Sequence, residues 1–287
     1  MKTFIVAVLM KKNLVRIMLV IVSIAHSGSA LASGQVKQLG NTSPNRILFV
    51  GNSYLYYNDS LHNHVKRMAA ERFPERAKLA VYKSATIGGS KLSHHNLDHL
   101  LDSKNIGLKK NFELVILQGG SSESLSETSR QAFYSQAKEK VKKIRAKGGE
   151  AALYMTHAYV KPHKAYDPKM INHIKDTYLK AGNDNSILVI PVGLAFARAY
   201  EQQPELKLHK AFDGTHPSLL GTYLASCVVF ASIFNTSPVG LDYDYFDVIS
   251  DQDKMFLQRI AEDTVNEFFG HKKTRYIMLL GFFQPLF

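Results

Sequence analysis

Five short apolar runs punctuate the chain, at residues 47–50, 79–82, 114–117, 151–155 and 187–192. None alternates strictly between apolar and polar, and turn or polar residues follow each one. Strands buried on both faces read this way, because helices cover a parallel sheet on either side. Between the runs lie stretches with helical character. Residues 61–72 carry apolar side chains at roughly helical intervals, and residues 129–147 are rich in Ala, Lys, Glu and Gln before Gly148-Gly149 stops them. Residues 168–181 and 194–203 read as two further helices. Residues 217–234 read as a buried helix with Pro217 near its first turn, where the missing N–H costs nothing. Ser250-Asp251-Gln252-Asp253 opens a last helix reaching about Phe269, with acidic residues at its positive end. This alternation predicts one α/β domain over residues 46–270. Its expected form is a three-layer α/β/α sandwich around a mainly parallel five-stranded sheet, with right-handed crossovers.

The two ends depart from the pattern. Met10-Lys11-Lys12 begins a basic stretch, residues 14–25 are mostly apolar, and Ala30-Leu31-Ala32 is a small-x-small cleavage pattern. Residues 1–32 therefore read as a signal peptide cut before Ser33, with Met10 as an alternative start. An uncleaved anchor is the competing reading, but the apolar core is short for a span of about 20 residues and Arg16 interrupts it. No cysteine lies in this region, which excludes a lipoprotein anchor. Residues 33–45 are polar and turn-rich, as expected of a linker. Residues 271–287 form a basic and then apolar tail, too short to span a bilayer and without an assigned role.

Composition adds little to the fold and something to the setting. The 287 residues are 45% hydrophobic and 21% charged, ordinary for a globular chain. The single cysteine, Cys227, lies in an apolar run, cannot form an internal disulfide and reads as a small buried hydrophobe. The formal charge is +12. Removing Lys2, Lys11, Lys12 and Arg16 with the leader leaves 32 basic against 24 acidic residues, a net +8. An exported basic chain, periplasmic or secreted, argues against nucleic acid as partner and fits weak contact with an anionic membrane or polysaccharide surface.

The candidate chemistry gathers at the ends of the apolar runs. The first stops at Gly51-Asn52-Ser53, and far downstream Asp213-Gly214-Thr215-His216 sets a carboxylate three residues before an imidazole. A hydroxyl becomes a useful nucleophile once a base takes its proton and a third group orients that base. Gly88-Gly89 follows the second run and Gln118-Gly119-Gly120-Ser121 the third. In an open parallel sheet all of these would meet at the rim where ligands bind. Each taken alone also reads as a turn or a helix cap.

Taken in order, these segments resemble the SGNH (GDSL-like) hydrolase superfamily, in its branch with a Gly-Asn-Ser first block, over about residues 46–235. The resemblance implies a flavodoxin-like sheet and a serine esterase. Ser53 would be the nucleophile, His216 the base and Asp213 its orienting partner. It implies an oxyanion hole from the backbone N–H groups of Ser53 and Gly89. It implies no metal or organic cofactor. The third block departs from the family pattern, since Gly120 stands where an oxyanion-donating Asn is usual. Gln118, Ser121 or a backbone N–H such as that of Gly120 would have to substitute. Losing one such donor typically costs about 10²–10³ in rate.

Other signals compete. His94, His95, Asp98 and His99 cluster, but Asn96 occupies the place where a zinc protease motif needs Glu. His157 and His163 have no assignable partner in the sequence. Residues 119–122 lack the Lys that ends a phosphate-binding loop. Three functional readings remain. The first is an exported hydrolase of short-chain or acetyl esters on a small molecule or glycan. An O-acyltransferase is its close variant. A catalytically weak carbohydrate-binding or surface protein on the same scaffold is the third.

Overall fold

The structure, a computed structural model, describes residues 34–271. The expected signal peptide, its cleavage point and the tail beyond His271 lie outside the described residues. Five strands, β1 (Arg46–Gly51), β2 (Val81–Thr86), β3 (Leu114–Gln118), β4 (Glu150–Tyr154) and β5 (Leu188–Ile190), form one sheet in the order β2-β1-β3-β4-β5. Every pairing is parallel. This is the flavodoxin-like order, in which the chain leaves β1 to one side and returns to the other.

The longer helices are α2 (Leu61–Arg72), α4 (Glu127–Ala146), α5 (Met170–Asn185), α6 (Val192–Gln202), α7 (Leu219–Phe234) and α8 (Asp251–Phe269), with short α1 (Ser53–Tyr56) and α3 (Leu97–Leu100). Two apolar cores follow the two-residue period of the strands. Ile47, Phe49, Ile116 and Ile190 face a core shared with α2, α6, α7 and α8. Leu48, Val50, Leu117 and Leu153 face the other, built with α4 and α5. The three layers follow directly. Ser250 caps α8 by accepting the N–H of Asp253, and Gly270 ends it at a φ of 69°. Ser218 caps α7, so Pro217 stands just outside the helix rather than within its first turn. Every residue of α7 from Gly221 to Phe234 is buried, including Cys227, whose thiol is pushed far up by burial. Among the described residues, no helix is long and apolar enough to cross a membrane.

Two expectations are corrected. The second apolar run, 79–82, precedes most of β2: Leu79 is 60% exposed in a 3₁₀ turn, and the strand continues through Lys83, Ser84, Ala85 and Thr86. β2 is an edge strand with one neighbour, so its outer positions tolerate polar residues and the apolar signal fades. Within the stretch expected to be a linker, residues 39–41 are docked on the domain. Leu39 is buried in the first core, and the Glu150 carboxylate accepts the N–H groups of Gly40 and Asn41 at 2.8 and 2.7 Å.

The register sets Gly51 beside Thr86, Val50 beside Leu117 and Gln118 beside Tyr154. The carboxyl ends of four strands thus finish level, and the turns that follow them share one rim.

Candidate active site

At the end of β1 the chain turns through Asn52 into α1, and Ser53 is the first residue of that helix. Asn52 is held on three sides. Its N–H donates to Gln118 Oε1 at 2.8 Å, its side-chain Nδ2 donates to the Ser90 carbonyl at 3.0 Å, and its Oδ1 accepts the Tyr54 N–H at 3.1 Å. A residue fixed in this way leaves its neighbour Ser53 little freedom.

His216 Nε2 lies 2.9 Å from Ser53 Oγ, and His216 Nδ1 lies 2.6 Å from Asp213 Oδ2. The carboxylate therefore holds the proton on Nδ1 and leaves Nε2 as acceptor for the Ser53 hydroxyl. Asp213 Oδ1 accepts the N–H groups of Thr215 and His216, at 2.9 and 3.1 Å. Partial burial pushes the Asp213 carboxyl up, but the Thr215 N–H, the His216 ring and the His216 N–H together hold it below its ordinary value. Gly214 makes this tight turn with a φ of 65°, and a Cβ there would stand 2.1 Å from the Val160 carbonyl oxygen. The turn is braced by Val160 N–H donating to the Gly214 carbonyl at 2.8 Å.

Aromatic rings wall the imidazole. Tyr57 stacks on His216 with centroids 4.5 Å apart, and Tyr54 meets it edge-on at 6.2 Å. Tyr54 Oη contacts Thr215 Oγ1 at 2.6 Å, and its other face stacks on buried His157 at 4.2 Å. His157 Nε2 donates to the Thr215 carbonyl at 2.8 Å while its ring lies against Phe196. Burial keeps His157 neutral, far below its ordinary pKa. Thr215 is thus gripped at its N–H, carbonyl and hydroxyl, which fixes the His216 backbone.

No family model matches the chain, and no curated protein matches it. Solved structures do. A DUF4886 family protein from Bacteroides uniformis aligns with a TM-score of 0.61 at 20% identity, over 80% of this chain and 97% of that one. A protein assigned as a GDSL-like lipase, from Parabacteroides merdae, aligns at 0.52 and 13% identity, over 66% and 94%. Axe2, an acetylxylan esterase from Geobacillus stearothermophilus, aligns at 0.51 and 14% identity, over 66% and 94%. The chain shares the fold of these three proteins.

Within this fold, the sequence-derived residues fall into two groups. Ser53, His216 and Asp213 meet, and the Gly88-Gly89 turn lies beside them. Its place is set by Ser90, which is buried and donates from Oγ to the Gly51 carbonyl at 3.1 Å. Gly89 is exposed with a φ of 66°. The N–H groups of Ser53 and Gly89 have no partner among the described residues. Gln118 and Gly120 lie in the second group. Gln118 is fully buried, with Oε1 on Asn52 N–H and Nε2 on the Gly119 carbonyl. Gly120 N–H donates to Glu123 Oε2 at 2.5 Å. Both are engaged inside the protein. Ser121 Oγ accepts from Tyr159 Oη at 3.0 Å.

The histidine cluster disperses. His95 is buried on Ser90 Oγ at 2.9 Å, and Asp98 pairs with Lys143 at 2.8 Å. His163, outside that cluster, lies over the Tyr159 ring. Among the described residues no group of three or more His, Cys, Asp or Glu side chains could hold a metal ion. The sequence reading missed Tyr54, Tyr57, Thr215 and the role of His157. Tyr54 and Thr215 stand inside the motifs themselves. The contacts of Tyr57 and His157 arise only on folding.

Proposed function

We propose that the protein is an exported serine ester hydrolase that removes short acyl groups, acetyl above all, from a glycan or small molecule. The observation that carries the reading is the line Ser53 Oγ, His216 Nε2, His216 Nδ1, Asp213 Oδ2, with separations of 2.9 and 2.6 Å at its two contacts. His216 takes the Ser53 proton as Oγ bonds to the ester carbon, and the carbonyl electron pair moves onto oxygen. The N–H groups of Ser53 and Gly89 receive that oxyanion. The tetrahedral intermediate collapses, His216 returns the proton to the departing alcohol, and water repeats the cycle on the acyl-enzyme.

Support for a glycan comes from the rim of the site. Tyr56 is 41% exposed beside Tyr57, and Phe212, next to Asp213, is 73% exposed, offering faces on which a sugar ring can stack. The acetylxylan esterase among the structural neighbours is consistent with this. The cationic excess of the chain suits a surface rich in anionic polysaccharide. Export rests on the leader pattern of residues 1–32.

The test is turnover of p-nitrophenyl acetate and of longer p-nitrophenyl esters by purified mature protein, beside Ser53→Ala. The expected result is hydrolysis of acetate, decline with acyl length, and loss of about 10⁴-fold or more in the variant. Equal rates in the two proteins would remove Ser53 from the mechanism.

A further inference from the structure

The proposed oxyanion site has two free amides, those of Ser53 and Gly89, and the turn after β3 is its neighbour along the same rim. No protein group from β3 itself reaches into it. Gln118 is buried and engaged at both ends of its amide, and the Gly120 N–H is held by Glu123. Gly120 has no side chain. A Cβ built on Gly120 would lie 3.1 Å from Lys91 Cγ and 3.3 Å from Glu123 Cγ. The space that a residue-120 side chain would take is therefore filled by the stem of Lys91.

Lys91 is well placed to use that position. It follows Ser90, whose carbonyl accepts from Asn52 Nδ2 and whose hydroxyl donates to the Gly51 carbonyl, so its backbone is tied to the strand that carries the nucleophile. It stands two residues after Gly89, the second amide of the site. Lys91 is exposed and joins no ion pair among the described residues, although it lies close enough to Glu123 to attract that carboxylate. A flexible ammonium beside a developing negative charge in a partly dry cleft is a strong stabiliser of that charge.

Resting on the ester-hydrolase reading, we propose that Lys91 supplies the third oxyanion contact from the loop after β2, in place of a side chain from β3. As Ser53 Oγ bonds to the carbonyl carbon, the carbonyl electron pair localises on oxygen and the Ser53 proton passes to His216. The Lys91 ammonium donates a hydrogen bond to that oxygen and keeps all its protons. On collapse the electron pair returns to re-form the carbonyl, and the contact relaxes. A neutral Glu123 would leave this contact intact, whereas a mere counter-ion of Glu123 would lose its purpose.

The experiment measures kcat and KM for p-nitrophenyl acetate in wild type, Lys91→Met, Lys91→Arg, Glu123→Gln and the Lys91→Met/Glu123→Gln pair, with thermal midpoints for each. Met keeps the stem against Gly120 and removes the charge. Lys91→Met is expected to lower kcat by about 10- to 100-fold with KM within about twofold, and Lys91→Arg to retain most of the rate. The same loss is expected when Lys91→Met is made in the Glu123→Gln background. A Lys91→Met rate within about twofold of wild type overturns the inference. So does a loss that vanishes once Glu123 is neutral, since Lys91 would then be only its counter-ion. Ser53-dependent turnover that ignores Lys91 sinks this inference alone. A wild type without Ser53-dependent turnover sinks the ester reading and this inference with it.

Discussion

The turns after β1 and β3 leave the same edge of the sheet side by side, yet they present opposite things to the cleft. After β1, backbone and amide groups all serve to hold Asn52, and the next side chain, Ser53, emerges with its oxygen on His216. After β3, the polar groups turn inward. Gln118 steadies Asn52, Gly119 N–H donates to Tyr178 Oη, and Gly120 N–H reaches Glu123. One turn presents the proposed nucleophile, and the other braces it. The difference teaches that a rim side chain is free to face the cleft where its neighbours satisfy the surrounding backbone.

The largest test of this contrast compares the serines of the two turns. Ser53→Ala should lower kcat by about 10⁴-fold or more, while Ser121→Ala should stay within about threefold. Ser121 Oγ is engaged with Tyr159 Oη, so its removal disturbs the wall of the site rather than the reacting atoms. A hundredfold loss at residue 121 would show that the β3 turn contributes a reacting or donating group after all.

The glycines give the next comparison, read in stability. A Cβ at Gly51 would lie 2.3 Å from Gln118 Oε1 and 2.7 Å from Leu55 Cδ1, inside a packed core. At Gly120 the nearest atoms are the stems of Lys91 and Glu123, at 3.1 and 3.3 Å, and Lys91 is free to shift. Gly51→Ala should therefore cost about 2–3 kcal/mol by denaturant unfolding, and Gly120→Ala less than about 1 kcal/mol. Equal costs would mean that the β3 turn is as rigidly packed as the β1 turn.

Much of this arrangement was legible in the sequence, for an identifiable reason. Gly51-Asn52-Ser53 and Asp213-Gly214-Thr215-His216 are local patterns, and each completes its own geometry over a few residues. The central strands were legible because both their faces are buried. β2 was misplaced because an edge strand can carry Lys83 and Ser84. In one dimension the Gln118 amide looks available as a donor. Only the parallel pairing of β3 with β1 shows that the amide is engaged by Asn52. The stack of Tyr54, His157 and Phe196 joins residues over a hundred positions apart, and no local signal announces it.

The smallest expected effect probes what holds the β3 turn. The β1 turn is held by the amide of Gln118, which does not titrate, whereas the β3 turn is held by a carboxylate. Burial raises the Glu123 pKa above its ordinary value of 4.5, against the opposing pull of the Gly120 N–H and of Lys91. The folded state then binds this proton more tightly than the unfolded chain. The contribution of Glu123 to stability is fully present below about pH 4.5 and is lost as pH rises through its folded pKa. Above that window the buried carboxylate weighs against folding. Glu123→Gln retains an oxygen that can accept the Gly120 N–H and carries no charge at any pH. Relative to wild type, its thermal midpoint should gain a few degrees, roughly 2–4 °C for each kcal/mol in a chain of this size, on going from pH 4.5 to pH 7.5. The variant's own profile should be flatter over that range. A relative midpoint that instead falls with rising pH would mean that the carboxylate charge is favoured in the fold. Attraction to Lys91 and the Gly120 N–H would then outweigh burial, and the β3 turn would be held by charge where the β1 turn is held by a neutral amide.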